Sequence, residues 1–210
     1  MYKLYYSSGT CSMAVHVVLN ELVAPFELVD TSLKEGKNRE PEFLKINPRG
    51  SVPVLSDDGM IVREGGAILV YLLDKHKSPL LPQSGAERAQ ALEWLMTANA
   101  TMHPLYGRVF WAKKAIADKA AQEEIISKTR EAIVKLWQEI DGQLAKQPYV
   151  AGKHITAADI LLTVIAGWSG VFENPIPFGE NVTRLFNEVV SRPSYQKALA
   201  TEGVEFKLAA

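Results

Sequence analysis

The sequence predicts an α+β domain followed by an all-helical domain, and three observations support this prediction. Residues 1–78 alternate between strand-like and helix-like patterns, whereas the chain from about residue 86 onward carries only helical periodicity. A segment rich in proline, glycine and serine, KSPLLPQSGAER, separates the two patterns. We therefore expect a first domain over 1–78, a linker over 79–86 and an all-α helical bundle over 87–210.

The elements of the first domain are predicted in the order β-α-β-(α)-β-β-α. Strand patterns occur in KLYY, in PFELVDTSL and on both sides of the Asp-Gly turn of VPVLSDDGMIVREGG. Helical patterns occur in SMAVHVVLNELV, in the short PEFLKINPRG and in GAILVYLLDKH. This order implies a small sheet packed against helices, with thioredoxin-like topology.

The second domain shows amphipathic helices and one clear capping signal. Helices are predicted in ERAQALEWLMTANATMH, in QEEIISKTREAIVKLWQEIDGQLAK and in ENVTRLFNEVVSRPSYQKAL, the last interrupted at Pro193. In HITAADILL, Thr156 and Asp159 have the spacing of a capping box, and Ile155 and Ile160 that of a hydrophobic staple. The helix after this cap is apolar nearly all round, so we expect it to be buried and the cap to serve folding.

The composition indicates a chain with a sizeable core and no polyionic partner. Its 210 residues are 47% hydrophobic, and 23 Lys and Arg against 24 Asp and Glu give a net charge of −1. This balance gives no electrostatic reason to expect nucleic acid or an anionic membrane as partner. We find no signal-peptide pattern and no apolar run long enough to span a bilayer, so we expect a cytoplasmic protein. A single cysteine excludes an intrachain disulfide and argues against a metal site.

That cysteine, Cys11, is predicted at a helix N-terminus after the turn Ser-Ser-Gly-Thr. Helix-start amides and the helix dipole favour a thiolate, so we expect a lowered pKa for this thiol and a nucleophilic or ligand-binding sulfur. A small buried side chain is the alternative. The fourth position of CSMA holds no second cysteine, so any redox role needs an external thiol. Beside Cys11, the Ser12 hydroxyl and amide are candidates for binding a thiolate or anion, unless Ser12 is an ordinary first-turn residue.

Two further motifs suit an extended, peptide-like ligand. In NPRGSVPVL, Pro53 opens a strand, which marks either a plain turn or a cis bond that leaves the Val52 N–H and C=O free for pairing. In REGGAILVYLL, Glu64 and the helix-start amides from Gly65 onward suit the charged head group of an amino acid. A glutamate in a first helical turn is also ordinary dipole chemistry.

These three motifs, in this order and at these separations, resemble those of the glutathione S-transferases. The two-domain division and the G-x-x-I-T-x-A-D pattern around Thr156 extend the likeness over essentially the whole chain. Tyr6 followed by Gly9, Thr10, Cys11 and Ser12 is most similar to the bacterial beta class. The resemblance implies a thioredoxin-like glutathione-binding domain, an all-helical domain that carries the second-substrate site, and a homodimer.

The resemblance also assigns roles to individual residues. It implies that Cys11 contacts the glutathione sulfur or forms a mixed disulfide with it, and that His103 assists as a second catalytic residue. Val52 pairs through its backbone with the cysteinyl part of glutathione, and Pro53 is the cis proline. The implied glutathione-binding residues are Tyr6, Ser12, Lys37, Val52, Pro53, Glu64, Gly65 and Asn99.

Glu64 and Gly65 hold the γ-glutamyl end in this assignment. Many family members carry serine or threonine in place of Gly65, so only a backbone contact remains here. Lys34 and Lys37 are both candidates for the glycine carboxylate, and Arg49 is a weaker one.

The second substrate is assigned to an apolar wall in HPLYGRVFW. Its candidate residues are Tyr106, Phe110 and Trp111, which could equally be core or interface aromatics.

The implied activity is transfer of the glutathione thiolate to small hydrophobic electrophiles, a detoxification chemistry. Peroxide reduction and thiol transfer through Cys11 share the same site, and the sequence leaves the three open. Tyr5 and Tyr6 suggest a tyrosine-type enzyme, but we rank Cys11 above Tyr6. A specialised dehalogenase or isomerase remains open, as does a non-enzymatic ligand-binding or protein-interaction module on the same fold. The intact set of motifs favours an enzyme.

Overall fold

A computed structural model describes residues 1–208 and divides the chain into two compact units. Unit 1 comprises Met1–Gly85 together with Ser191–Glu205, and unit 2 comprises Ala86–Val190 together with residues 206–208.

Unit 1 is built on a four-stranded mixed sheet. Its strands are β1 (Tyr2–Tyr6), β2 (Phe26–Asp30), β3 (Val54–Asp57) and β4 (Met60–Arg63). They lie in the order β2-β1-β3-β4, with β1 and β2 parallel and β3 antiparallel to both β1 and β4. The predicted hairpin is confirmed, because Asp58 and Gly59 form a two-residue turn in which both residues have the positive φ that such a tight turn needs.

Three helices complete the predicted order of unit 1. They are α1 (Ser12–Glu21), α2 (Pro41–Ile46) and α3 (Gly65–Lys75), with a 3₁₀ turn over Lys37–Arg39 before α2. Both α1 and α3 pack against the sheet and against each other. Every side chain from Ser12 to Leu19 is buried, which explains the apolar sequence of α1. The thioredoxin-like topology predicted from the sequence is confirmed.

Unit 2 is helical, as predicted. Its helices are α4 (Gly85–Met96, whose first residue belongs to unit 1), α5 (His103–Ala115), α6 (Lys119–Leu144), α7 (Ala157–Ala166) and α8 (Glu180–Val190). The sequence predicts one continuous helix through α4 to His103, but a π-helical segment, Thr97–Met102, replaces α-helical geometry there. A 3₁₀ turn over Gly167–Val171 follows α7.

The capping box before α7 is confirmed, and α7 is the buried helix that the sequence predicts. Every residue from Ala157 to Ala166 is buried. The Asp159 carboxylate accepts hydrogen bonds from the N–H of Thr156 at 2.7 Å, from the Thr156 hydroxyl at 2.9 Å and from the N–H of Val150 at 3.0 Å. Burial raises the pKa of Asp159 to about 6 against the opposing effect of these donors.

The last helix, α9 (Pro193–Glu202), starts at the predicted proline break and packs along α1. At the C-terminal end of α1, Arg192 donates two hydrogen bonds to the Glu21 carboxylate at 2.7 and 2.8 Å. Tyr195 and Ala198 on α9 are buried. The domain boundaries expected from the sequence place this segment in the second domain, whereas these polar and apolar contacts hold Ser191–Glu205 in unit 1.

Candidate functional site

The candidate site in unit 1 centres on Cys11, the residue that caps the N-terminus of α1. The residue as a whole remains partly exposed, although its sulfur is packed against the protein. The thiol donates a long hydrogen bond to the backbone carbonyl of Val52, with the sulfur and oxygen 3.5 Å apart. Two motifs separated by 41 positions in the sequence therefore meet at this sulfur.

The acidity of this thiol is opposite to the one expected from the sequence. Burial raises the pKa of the Cys11 thiol to about 11, and the helix-start amides of Cys11 and Ser12 offset only part of that rise. The nearby charge of Glu64 raises the pKa slightly further. The expectation of a lowered pKa was wrong because burial destabilises the Cys11 thiolate more than the helix-start amides stabilise it. Unliganded Cys11 is a neutral thiol at pH 7.

Ser12 does not present its hydroxyl to a ligand. The residue is completely buried, and its hydroxyl lies within hydrogen-bond distance of the Ser7 carbonyl at 3.1 Å, of the Ser7 N–H at 3.2 Å and of the Thr10 hydroxyl at 2.9 Å. The structure corrects the predicted ligand contact of its hydroxyl, because these bonds close the turn that precedes α1. Ser12 thereby shapes the loop that carries Cys11.

The Val52–Pro53 peptide bond is cis, as expected for the residues that face a peptide-like ligand. The loop leading into it is held by side-chain amides. Asn38 donates to the Gly50 carbonyl and Asn47 to the Ser51 carbonyl, each at 2.7 Å. Among the described residues, none accepts a hydrogen bond from the Val52 N–H. This backbone amide is free to pair with an added strand-like ligand.

Gly50 is required in this loop by both conformation and space. Its φ is +64°, and a Cβ atom built there would lie 2.9 Å from the Asn38 carbonyl oxygen. A larger residue would therefore shift the loop that delivers Val52 to Cys11.

Glu64 occupies a strained position at the start of α3. Its φ of 70° and ψ of 118° lie outside the regions that non-glycine residues favour, a feature that clusters at functional sites. Its exposed carboxylate forms an ion pair with the guanidinium of Arg49, which sequence reasoning did not pair with it. Gly65 begins the helix beside it, so helix-start N–H groups and a carboxylate adjoin here.

Two predicted glutathione-binding residues of unit 1, Lys37 and Tyr6, make their described contacts with other residues of that unit. Lys37 forms ion pairs with Asp30 and with Glu35, and these carboxylates raise the pKa of its ammonium group. Tyr6, whose pKa is raised chiefly by burial, lines a pocket of about 420 Å³. The other residues lining that pocket are Ser7, Ser8, Asp30, Ser32, Lys34, Glu35, Thr201 and Glu202. No hydrogen bond in the described structure joins Lys37 or Tyr6 to Cys11, Val52 or Glu64.

In unit 2, the two polar candidates flank the end of the π-helical segment. Asn99 lies within it and is partly buried, and His103 is the first residue of α5. The His103 ring packs at a tilt against Trp168, with the ring centroids 5.2 Å apart. π-helical turns are frequent at functional sites.

The three aromatic residues predicted for the second substrate do not share one surface. Tyr106 is completely buried, and its hydroxyl bonds to Ser169 at 2.7 Å and to the Trp137 ring N–H at 3.2 Å. Its assignment to a substrate wall is corrected, because these bonds fix it in the helical core. Phe110 and Trp111 are exposed, at 43% and 58%.

Trp168 is a candidate that sequence reasoning missed. It is partly buried, and its ring contacts both His103 and Phe110, at 5.2 and 6.1 Å between centroids. The only signal in the sequence is its place in GWSGVF, directly after the buried helix α7.

Residues 1–208 contain neither a metal-binding cluster nor a membrane-spanning helix. Within this part of the chain, no group of three or more His, Cys, Asp or Glu side chains is arranged to hold a metal ion. No helix there has the length and apolar character needed to cross a membrane.

The sheet topology and the position of Cys11 define the class of protein. The strands of unit 1 lie in the order β2-β1-β3-β4, and a thiol at a helix start contacts the backbone of the residue that precedes a cis proline. These features identify unit 1 as a thioredoxin-like thiol domain. A helical unit is joined to it in the same chain.

Comparison with known proteins identifies the family. The family models "Glutathione S-transferase, N-terminal domain" and "Glutathione S-transferase, C-terminal domain" match residues 2–74 and 89–193. The chain belongs to the glutathione S-transferase family. It is 28% identical over 207 residues to glutathione S-transferase GstA of Escherichia coli O157:H7, covering 97% of this chain and 100% of that protein.

Solved structures agree with this assignment. A glutathione S-transferase from Xylella fastidiosa superposes with a TM-score of 0.88 at 26% identity, over 98% of this chain and 100% of that one. A glutathione transferase homolog from Sulfitobacter, solved with bound glutathione, superposes with a TM-score of 0.85 at 25% identity, over 98% of this chain and 99% of that one.

Proposed function

We propose that this protein binds glutathione in unit 1 and transfers its thiolate to small hydrophobic electrophiles. The observation that carries the proposal is the meeting of the Cys11 thiol with the Val52 backbone beside the cis Pro53. Membership of the glutathione S-transferase family supports it, as does the bound glutathione of the Sulfitobacter homolog.

Glutathione fits this site as an extended, peptide-like ligand. Its cysteinyl part pairs with the free Val52 N–H, which brings its sulfur to the Cys11 thiol. Its γ-glutamyl end carries an ammonium and a carboxylate, which suit the Glu64 carboxylate and the N–H groups that begin at Gly65. The ligand ammonium then binds the Glu64 carboxylate in place of the Arg49 guanidinium or alongside it. Arg49 thereby becomes available to a carboxylate of the ligand.

The raised pKa of Cys11 supports a donor role for its thiol. A neutral thiol donates a hydrogen bond, and a glutathione thiolate lying beside it would accept that bond. The glutathione proton passes to solvent, the sulfur forms a bond to the electrophilic carbon, and the leaving group departs with the electrons of the broken bond. In this mechanism Cys11 is unchanged at the end of each turnover.

Thiol transfer is the second candidate, and the partly exposed position of Cys11 favours it. The Cys11 thiolate would attack the glutathione sulfur of a mixed disulfide between glutathione and another thiol, forming a protein–glutathione disulfide and releasing that other thiol as its thiolate. A free glutathione thiolate would then attack the glutathione sulfur of the protein disulfide, regenerating the Cys11 thiolate and releasing oxidised glutathione. The raised pKa of the thiol makes this route slow at neutral pH.

Two substitutions at Cys11 separate these mechanisms. Cys11→Ser keeps a hydroxyl donor, so conjugation of glutathione to a chloronitrobenzene should persist, whereas Cys11→Ala should slow it. If thiol transfer is the activity, the wild type forms a mixed disulfide that intact-mass spectrometry detects after incubation with oxidised glutathione, and neither variant forms it. Equal conjugation rates in wild type, Ser and Ala variants would remove Cys11 from the conjugation mechanism.

Glutathione binding itself is tested at Glu64. Titration calorimetry with glutathione should show a loss of about tenfold or more in affinity for Glu64→Gln, because the ammonium loses its charged partner. The matched control is Glu42→Gln, which removes an exposed glutamate of the same unit that pairs with Lys45. Unchanged affinity in Glu64→Gln would exclude Glu64 from the site, and no binding by the folded wild-type protein would refute the proposal.

The family resemblance contributes the remaining parts of the proposal. His103 and Asn99 are residues whose replacement is expected to lower glutathione turnover, with Phe110 and Trp111 as candidates for contacts to the electrophile. Membership of the bacterial beta class and a homodimeric state belong to the same proposal. Sedimentation velocity at several concentrations tests the dimer.

A further inference from the structure

We propose that Glu202, on the C-terminal helix α9, is a positioning residue for the Cys11 thiol. The inference rests on the proposed function of Cys11 and goes beyond it. One carboxylate oxygen of Glu202 accepts a hydrogen bond from the Gly9 N–H at 2.9 Å, and the other lies 2.9 Å from Nδ1 of His16. The His16 and Glu202 side chains are 1% and 0% exposed.

This carboxylate joins the two segments that meet at Cys11. Gly9 belongs to the loop that enters Cys11, and His16 belongs to the helix that leaves it. The two oxygens of one buried group therefore set the spacing between loop and helix. The sulfur lies at their junction, so its position depends on this spacing.

The surroundings of the pair leave little room for adjustment. The His16 ring packs edge-on against Phe26 at 5.5 Å and against Tyr6 at 6.5 Å between centroids, which fixes the direction of Nδ1. Removing the carboxylate would leave the Gly9 N–H and the His16 nitrogen without this partner. The loop would then have to move to recover hydrogen bonds, and Cys11 would move with it.

The same pair of helices supplies a matched control. Arg192 binds Glu21 at the opposite end of α1, so Arg192→Ala weakens the packing of α9 on α1 at the end away from the Gly9 loop. A merely structural role predicts the same effect at both ends of α1. A positioning role predicts an effect on the thiol only at the Glu202 end.

The test compares Glu202→Ala, Glu202→Gln and Arg192→Ala in the full chain. The first readout is the rate at which iodoacetamide alkylates Cys11, the only cysteine, followed over pH 7 to 10 without glutathione. We expect Glu202→Ala to change that rate by about threefold or more at a fixed pH, and Arg192→Ala to leave it within about twofold of wild type. Glu202→Gln should restore it, because the amide oxygen accepts from Gly9 and the amide nitrogen donates to His16 Nδ1 once the ring takes the tautomer that carries its proton on Nε2.

The second readout is the KM for glutathione measured separately from kcat. A displaced thiol loop should raise the KM by about threefold or more in Glu202→Ala and not in Arg192→Ala. Equal effects of these two variants on alkylation, or an unchanged rate in Glu202→Ala, would overturn the proposal.

Hydrogen exchange in the wild-type protein keeps the proposal testable if Glu202→Ala does not fold. The Gly9 amide should exchange about a hundredfold more slowly than in an unstructured chain, and exchange at the unstructured rate would overturn the proposal. Alkylation requires no glutathione, so a wild-type protein that fails to bind glutathione refutes the proposed function and leaves the positioning test unaffected.

Discussion

Replacing Asp159 with alanine tests whether the buried capping box holds unit 2 together. The substitution removes an acceptor shared by two backbone N–H groups, those of Val150 and Thr156, and by the Thr156 hydroxyl. Asp159 is completely buried, so water cannot replace the carboxylate without the structure opening.

The expected loss follows from counting the groups left unpaired. Each buried N–H that loses its partner costs roughly 1–3 kcal/mol, so the two backbone groups together cost about 4 kcal/mol. The cavity left by the side chain adds to this figure, and relief of the buried charge subtracts from it. A loss of about 3–5 kcal/mol in the free energy of unfolding is therefore expected.

Urea unfolding followed by tryptophan fluorescence measures this loss. The chain has four tryptophans, Trp94, Trp111, Trp137 and Trp168, and all of them lie within unit 2, so the signal reports on that unit. The control is Asp118→Ala, which removes a single exposed N-cap acceptor from α6 and should cost about 1 kcal/mol. If Asp159→Ala cost no more than Asp118→Ala, the reasoning from burial would be refuted.

Three further predictions concern the thiol, its loop and the pH dependence of unit 2. With a pKa of about 11, only about one Cys11 thiol in ten thousand is ionised at pH 7. Alkylation of Cys11 in the unliganded protein should therefore accelerate about tenfold per pH unit up to pH 10. A plateau of the alkylation rate near pH 8 would contradict this prediction. Gly50→Ala should lower the free energy of unfolding by about 1–3 kcal/mol and weaken glutathione binding. Gly36 also has a positive φ, +77°, but has open space around it, so Gly36→Ala should leave glutathione binding unchanged. Equal glutathione affinities in the two variants would exclude the loop clash at Gly50. Because burial raises the folded-state pKa of Asp159 from 3.8 to about 6, its stabilising contribution is complete below pH 4 and is lost as the pH rises through 6. The stability of wild type relative to Asp159→Asn should accordingly fall by roughly 3 kcal/mol between pH 3 and 7 in urea unfolding, and a pH-independent difference would show that Asp159 titrates normally.

Features set by neighbouring residues were predictable from the sequence. The Asp58-Gly59 hairpin needs only two residues with positive φ between alternating strands, and the structure has both. The capping box needs only Thr156 and Asp159 at the right spacing before an apolar helix. In each case the whole signal lies within a few positions of the chain.

Features that depend on packing were not predictable in this way. The helix start at Cys11 indicates a lowered pKa for the thiol, but burial of the sulfur reverses this effect, and Val52, which contacts that sulfur, lies 41 positions away in the sequence. Tyr106 lies in the segment that the sequence assigns to the substrate wall, yet Ser169 and Trp137 enclose its hydroxyl. The Arg49–Glu64 ion pair joins two motifs that sequence reasoning treated separately.

The return of α9 to unit 1 has a consequence for synthesis on the ribosome. Unit 1 is discontinuous, because Ser191–Glu205 is translated only after all of Ala86–Val190. Until then the nascent N-terminal segment lacks the carboxylate that binds Gly9 and His16 and the guanidinium that binds Glu21. The N-terminal unit can acquire its final form only after the intervening helical unit has been made, a reversal of the N-to-C order in which domains generally mature during translation.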